Sequence, residues 1–175
     1  FDKDNVYKTV KWIDYELPIV FNGNPKRYSI DLIGTLDDDR PTLCELKFAN
    51  PATASRSNSP VYAAIQLLTY YCIIQFNALR LNDGEVFRFK QNPVKWNTFV
   101  TGFPCLIVCA NQSYWDRWLR SSKFDTGKLI KWGKDHGLDL CFYRTINPDF
   151  PMLQAQKGGG LYAPKIIDNS AWEIG

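Results

Sequence analysis

The chain is poor in the residues on which several kinds of chemistry depend. Its single histidine, His136, sits in a polar helix end and reads as a solvated charge, so a Ser/His or Cys/His nucleophilic mechanism has no support. Five cysteines, Cys44, Cys72, Cys105, Cys109 and Cys141, are scattered through apolar segments with no C-x-x-C pair. That odd, dispersed set argues against a zinc or iron–sulfur site and points to a reducing, cytoplasmic setting. No apolar run approaches the roughly eighteen residues of a membrane span, and the start as given, Phe1 and not Met, shows no signal peptide and suggests a fragment of a longer chain. Charge of one sign is also missing. With 21 basic and 18 acidic residues the net charge is only +3, and there is no basic tail, so any polyanion must be held by local patches. Gly158-Gly159-Gly160 lacks the Lys-Ser/Thr and the strand–loop–helix setting of a phosphate-binding loop.

What the chain has in quantity is core-forming material. Hydrophobic residues are 45% and aromatics 15% of 175 residues, enough for one packed domain and too few for two comfortable ones. Val6, Val10 and Ile13 recur at helical spacing and predict the end of a helix over residues 2–13. Strands are predicted at 15–21, 27–36 and 42–49, an antiparallel meander joined by Asn22-Gly23-Asn24-Pro25 and by the solvated Asp37-Asp38-Asp39-Arg40-Pro41 turn. Ser59-Pro60 supplies an N-cap and a first-turn proline for a helix over 60–79, apolar on nearly every side and therefore expected to be well buried. A turn at Asn82-Asp83-Gly84 and a short strand over 85–89 follow, and 95–101 is ambiguous. Pro104 to Ala110 reads as a central strand, 114–121 and 126–136 as helices, and 138–144 as a further strand. This alternation predicts parallel additions to the meander, with helices on both faces. From Asn147 onwards the chain reads as a loop-rich tail. Trp115, Trp118 and Trp132 could stack on bases, but their helical spacing beside apolar residues favours core packing.

The polar residues of the central stretch form a pattern. Side chains alternate along a strand, so Glu45 and Lys47 share one face of Thr42-Leu43-Cys44-Glu45-Leu46-Lys47-Phe48 while Cys44, Leu46 and Phe48 share the other. Asp31 lies between Ile30 and Leu32 on the preceding strand, close enough for two carboxylates and one lysine to meet across the hairpin. On the following helix Gln66 and Tyr70 are four apart and lie on one face, with Tyr62 a turn earlier. Taken singly, each is explained by a surface ion pair or a polar cap. Together they specify more.

Ile30-Asp31-Leu32, Glu45-Leu46-Lys47 and Gln66-Leu67-Leu68-Thr69-Tyr70 resemble, in order and spacing, the motifs of the PD-(D/E)XK nuclease superfamily, in the branch related to the RecB nuclease domain with its Q-x-x-x-Y helix. The resemblance covers about residues 1–110 and implies an α/β (α+β) restriction-endonuclease-like core, a mixed central sheet flanked by helices; 111–146 would be an additional α/β extension and 147–175 the tail of the same single domain. It departs from the family in Ile30, where proline often precedes the aspartate, and in the short helix before the first strand, which often carries a further acidic residue; Glu16 is the nearest candidate for that role. The resemblance implies hydrolysis of phosphodiester bonds in DNA with Mg2+, or Mn2+, as cofactor. Hard divalent cations prefer oxygen ligands, and Asp31, Glu45 and the Leu46 backbone carbonyl would supply them. Lys47 would orient the attacking water or stabilise developing charge, Gln66 and Tyr70 would brace the site or touch the nucleic-acid backbone, and Arg56, with Lys26 and Arg27 behind it, would contact phosphate. The same pattern leaves open an RNA substrate, endonuclease or exonuclease action, other domains or chains of a larger assembly as partners, and an inactive nuclease-fold module for binding or assembly.

Overall fold

The computed structural model describes residues 10–19, 28–36, 40–49, 58–78, 98–120, 125–145 and 172–174. They form a six-stranded mixed sheet in the order β1-β2-β3-β4-β5-β6, an α/β architecture. The strands are β1 (Val10–Ile19), β2 (Tyr28–Leu36), β3 (Pro41–Lys47), β4 (Cys105–Ala110), β5 (Asp139–Thr145) and β6 (Trp172–Ile174). The helices are α1 (Pro60–Ala78), α2 (Thr98–Thr101), α3 (Gln112–Leu119) and α4 (Thr126–Asp135). As expected, β1, β2 and β3 form an antiparallel meander, and β4 and β5 add parallel to β3. β6 returns antiparallel to β5.

Four expectations are corrected. Residues from Val10 to Ile13 belong to β1 and not to a helix end. Trp172–Ile174, in the segment read as a loop-rich tail, is a strand. Among the described residues the helices pack on one face of the sheet only: residues of α1, α2, α3 and α4 join Ile13, Leu17, Ile30, Ile33, Leu43, Leu106, Val108, Leu140 and Phe142 in one core cluster. The opposite face is lined by Val10, Trp12, Leu32, Leu36, Cys44, Cys105, Ile107 and Cys109, with no described helix among them. The physical reason lies in strand order. β3, β4 and β5 advance in one direction, so successive crossovers of the same hand fall on the same side. Finally, α1 is not buried all round. Ala63, Leu67, Tyr70, Tyr71, Ile74 and Ala78 face the sheet, while Val61, Tyr62, Ile65 and Phe76 are exposed.

The caps follow from sequence. Ser59 starts α1, its hydroxyl accepting from the Tyr62 N–H at 3.2 Å and its carbonyl from Ala63 at 3.0 Å. Asn111 and Asp125 cap α3 and α4 by accepting from Tyr114 and Lys128. Trp115 is a core residue, as expected, and donates its indole N–H to the Tyr143 carbonyl at 2.9 Å. Trp118 is packed partly buried against the same core. Trp132 is the exception; it is exposed and stacks on His136 with centroids 4.7 Å apart. The predicted turn and strand over 82–89 and the aspartate turn 37–39 lie outside the described residues.

Candidate active site

β2 and β3 pair from Thr35↔Pro41 to Leu32↔Cys44, and the ladder ends there. One step further the register would set Asp31 opposite Glu45. Instead the Asp31 carboxylate accepts the Leu46 N–H at 2.7 Å, so a side chain takes a backbone donor at the point where the two strands stop pairing. This brings Asp31, Glu45 and the Leu46 peptide into one corner.

Glu45 and Lys47, two apart on β3, project toward α1 on the helix-covered face, as alternation requires. Lys47 donates to Glu45 Oε1 at 2.5 Å. From α1, Gln66 Nε2 donates to the same Oε1 at 2.9 Å and approaches the Tyr70 hydroxyl at 2.8 Å. The structure therefore joins Asp31, Glu45, Lys47, Gln66 and Tyr70 in one constellation. Arg56, Lys26 and Arg27 lie outside the described residues.

The electrostatics of this corner are strained in one direction. Glu45 is 4% exposed, and its carboxyl is raised from an ordinary 4.5 to about 7, first by burial and then by the Asp31 charge; hydrogen bonding and charge from Lys47 and the Gln66 amide oppose this without cancelling it. Asp31 is raised as well, chiefly by burial and in smaller part by Glu16, against the Leu46 N–H and Lys47. Glu16 is exposed, has the left-handed φ of 46°, and follows Tyr15, which pairs with Leu32, so it sits beside the Asp31 position on the neighbouring strand. Three carboxylates and one lysine thus share a small region. Glu45 Oε2 is buried and accepts no hydrogen bond. An orphaned buried carboxylate oxygen next to a second carboxylate is the donor set a hard divalent cation requires, so these residues fit Mg2+. Beside the Leu46 N–H bond to Asp31, the Leu46 carbonyl is the adjoining oxygen on the same residue.

Two features escaped the sequence reading. Asn111, after β4, donates to the Ala49 carbonyl at 2.9 Å, accepts from the Ala49 N–H at 3.1 Å, and gives its own N–H to the Lys47 carbonyl at 3.4 Å. It fixes the chain just beyond Lys47 while capping α3. The second is a thiol-containing group on the other face: the ligand atoms of Cys105, Asp139 and Cys141 lie within 4.8 Å of one another. The only signal for it in the sequence was Asp139-Leu140-Cys141, an Asp-x-Cys pair on one strand face, and the absence of C-x-x-C concealed it.

A groove of about 820 Å³ opens beside Lys47, Gln66 and Tyr70 and runs along the exposed side of α1, lined by Tyr28, Tyr62, Ile65 and Phe76 among others. No helix of the described residues is long and apolar enough to cross a membrane.

No protein-family model matches the chain, and no curated protein and no solved structure matches it.

Proposed function

We propose that the chain is a metal-dependent nuclease of the PD-(D/E)XK kind that hydrolyses phosphodiester bonds in DNA. The observation that carries this reading is the convergence of Asp31, Glu45 and Lys47 with Gln66 and Tyr70, in which one buried carboxylate oxygen is left without a hydrogen bond. Asp31 and Glu45, with the Leu46 carbonyl, would hold Mg2+ or Mn2+. Such a cation, when bound, supplies Lewis acidity at a phosphoryl oxygen and lowers the pKa of a coordinated water. Lys47, ion-paired with Glu45, would orient an attacking water or stabilise the negative charge that develops on the phosphoryl oxygens. Gln66 fixes the Glu45 carboxylate and is itself placed by Tyr70, so the helix sets the carboxylate's orientation. The exposed rings of Tyr28, Tyr62 and Phe76 along the groove offer stacking surfaces for unpaired bases, which favours single-stranded or frayed DNA over an intact duplex.

The test is cleavage of labelled single-stranded, duplex and circular DNA, with a matched RNA, in Mg2+, Mn2+ or EDTA, beside the Lys47→Ala and Asp31→Ala proteins. Metal-dependent cutting that drops at least about a hundredfold in both variants supports the enzyme. Calorimetric titration with Mn2+ separates the alternatives. A chain that binds neither Mn2+ nor Mg2+ and cuts nothing is a binding or assembly module, and cutting confined to RNA replaces the substrate.

A further inference from the structure

We propose that Cys105, Asp139 and Cys141 form a zinc-binding site, with water as a fourth ligand, on the face of the sheet opposite the carboxylates. β4 and β5 run parallel with Cys105 paired to Asp139 and Ile107 to Cys141, so the two β5 ligands, two residues apart, share a face and flank the Cys105 thiol. Cys105 Sγ is 4.0 Å from Cys141 Sγ, and Cys141 Sγ is 3.7 Å from Asp139 Oδ1. Zinc bonds of about 2.3 Å to sulfur and 2.0–2.2 Å to oxygen, at tetrahedral angles, place two sulfurs about 3.8 Å apart and sulfur and oxygen about 3.6 Å apart. Two edges of the group are already near those lengths, and all three ligand atoms lie within 4.8 Å of one another.

Two neighbours complete the case. Arg40 donates to Asp139 Oδ2 at 3.1 Å, which occupies one carboxylate oxygen and leaves Oδ1 turned to the thiol, the outer-shell arrangement that orients metal ligands. Thr42 pairs directly with Cys105 across β3 and β4, is fully buried, and its hydroxyl has no hydrogen-bond partner; a metal-bound water would give it one. Two thiols and a carboxylate select a borderline-soft ion over Mg2+. The site is independent of the proposed nuclease centre: Cys105 is level with Thr42 and Glu45 with Val108, about 10 Å along the strand and on opposite faces. Binding releases the two thiol protons.

The experiment is a Co2+ titration of the 175-residue chain under reducing conditions, followed by Zn2+ competition. The expected result is visible bands of tetrahedral Co2+ with thiolate charge-transfer absorption, saturating at about one equivalent and erased by Zn2+. Cys141→Ser and Cys105→Ser lose the charge-transfer band, Asp139→Asn weakens binding at least about tenfold, and Cys44→Ser and Glu45→Gln keep the band. Cys141 is only partly buried, so its variant decides the matter where Cys105→Ser fails to fold. Absence of the band, its persistence in Cys141→Ser, or a chain that instead oxidises to a Cys105–Cys141 disulfide without taking up metal overturns the proposal. None of these readouts depends on DNA cleavage, so the two proposals fail separately.

Discussion

Replacing Glu45 by glutamine should remove the larger part of a pH dependence of stability that the wild-type chain carries. The Glu45 carboxyl is raised from 4.5 to about 7 in the folded protein, mainly because it is buried and secondarily because Asp31 is near. A raised carboxyl binds its proton more tightly in the folded than in the unfolded chain. Stability therefore falls as pH rises through the window from about 4.5 to about 7, is unaffected by this group below that window, and bears the full cost above it. The displacement corresponds to about 3 kcal/mol, and with Glu45 only 4% exposed, solvent screening takes little away. Asp31, also raised, adds in the same sense. Glutamine keeps the oxygen that Lys47 and Gln66 bond and removes the charge, so the variant should show a flatter profile and exceed wild type most at pH 8. The assay is urea denaturation of both proteins from pH 4 to pH 8, first in EDTA and then with saturating Mg2+. In Mg2+ the wild type should recover stability at pH 8, by about 2.7 kcal/mol at a hundredfold excess over the dissociation constant, and the variant should not. Parallel wild-type and variant profiles in EDTA would refute the assignment of a buried, charge-strained carboxylate at position 45.

Asn111→Ala removes both bonds to Ala49 and the α3 cap, so it should cost about 2 kcal/mol of stability in urea denaturation and lower kcat of the proposed DNA cleavage while leaving the proposed Mn2+ binding intact. Gly34→Ala should destabilise by about 1–3 kcal/mol, because a Cβ there would lie 2.5 Å from the Lys11 carbonyl oxygen and 3.0 Å from the Trp12 ring; thermal melts check it. Leu67→Ala, at a fully buried position of α1 facing the sheet, should cost about 2–5 kcal/mol in urea, and because Leu67 adjoins Gln66 it should also reduce the proposed cleavage.

The candidate active site was legible in the sequence because its geometry is local. Alternation placed Glu45 and Lys47 on one face, and a four-residue step placed Gln66 over Tyr70; neither depends on how the sheet is ordered. The start of β1, Val10 to Ile13, was misread for a reason that the structure shows. The register shifts between Trp12 and Asp14, Ile13 is the extra residue, and Glu16 adopts a positive φ. The extra residue breaks the period of two at the start of the strand, so that Val10 and Ile13, with Val6 before them, stand at spacings that imitate a helix, whereas the strand expected from Tyr15 onward is part of β1. The side on which the helices lie depended on strand order, which no local pattern encodes. Cys105, Asp139 and Cys141 were hidden for the same reason: their proximity exists only once β4 and β5 pair in parallel, with one register out of several.

The parallel strands β3, β4 and β5 would let one small sheet carry the two proposed ligand sets, which differ in chemical preference. Glu45 and Lys47 lie toward the carboxyl end of β3, where β2 has stopped pairing and side chains gain room to converge on α1. Cys105 and Asp139 open β4 and β5 at the other end, on the face without described helices. Oxygen ligands, one of them a buried carboxylate that two hydrogen bonds leave half satisfied, favour a hard cation; thiols beside one oriented carboxylate oxygen favour a softer one. Because the faces of a sheet are separated by its backbone, neither set can borrow ligands from the other. Metal selectivity in this chain would therefore be set by which face of the sheet an ion reaches.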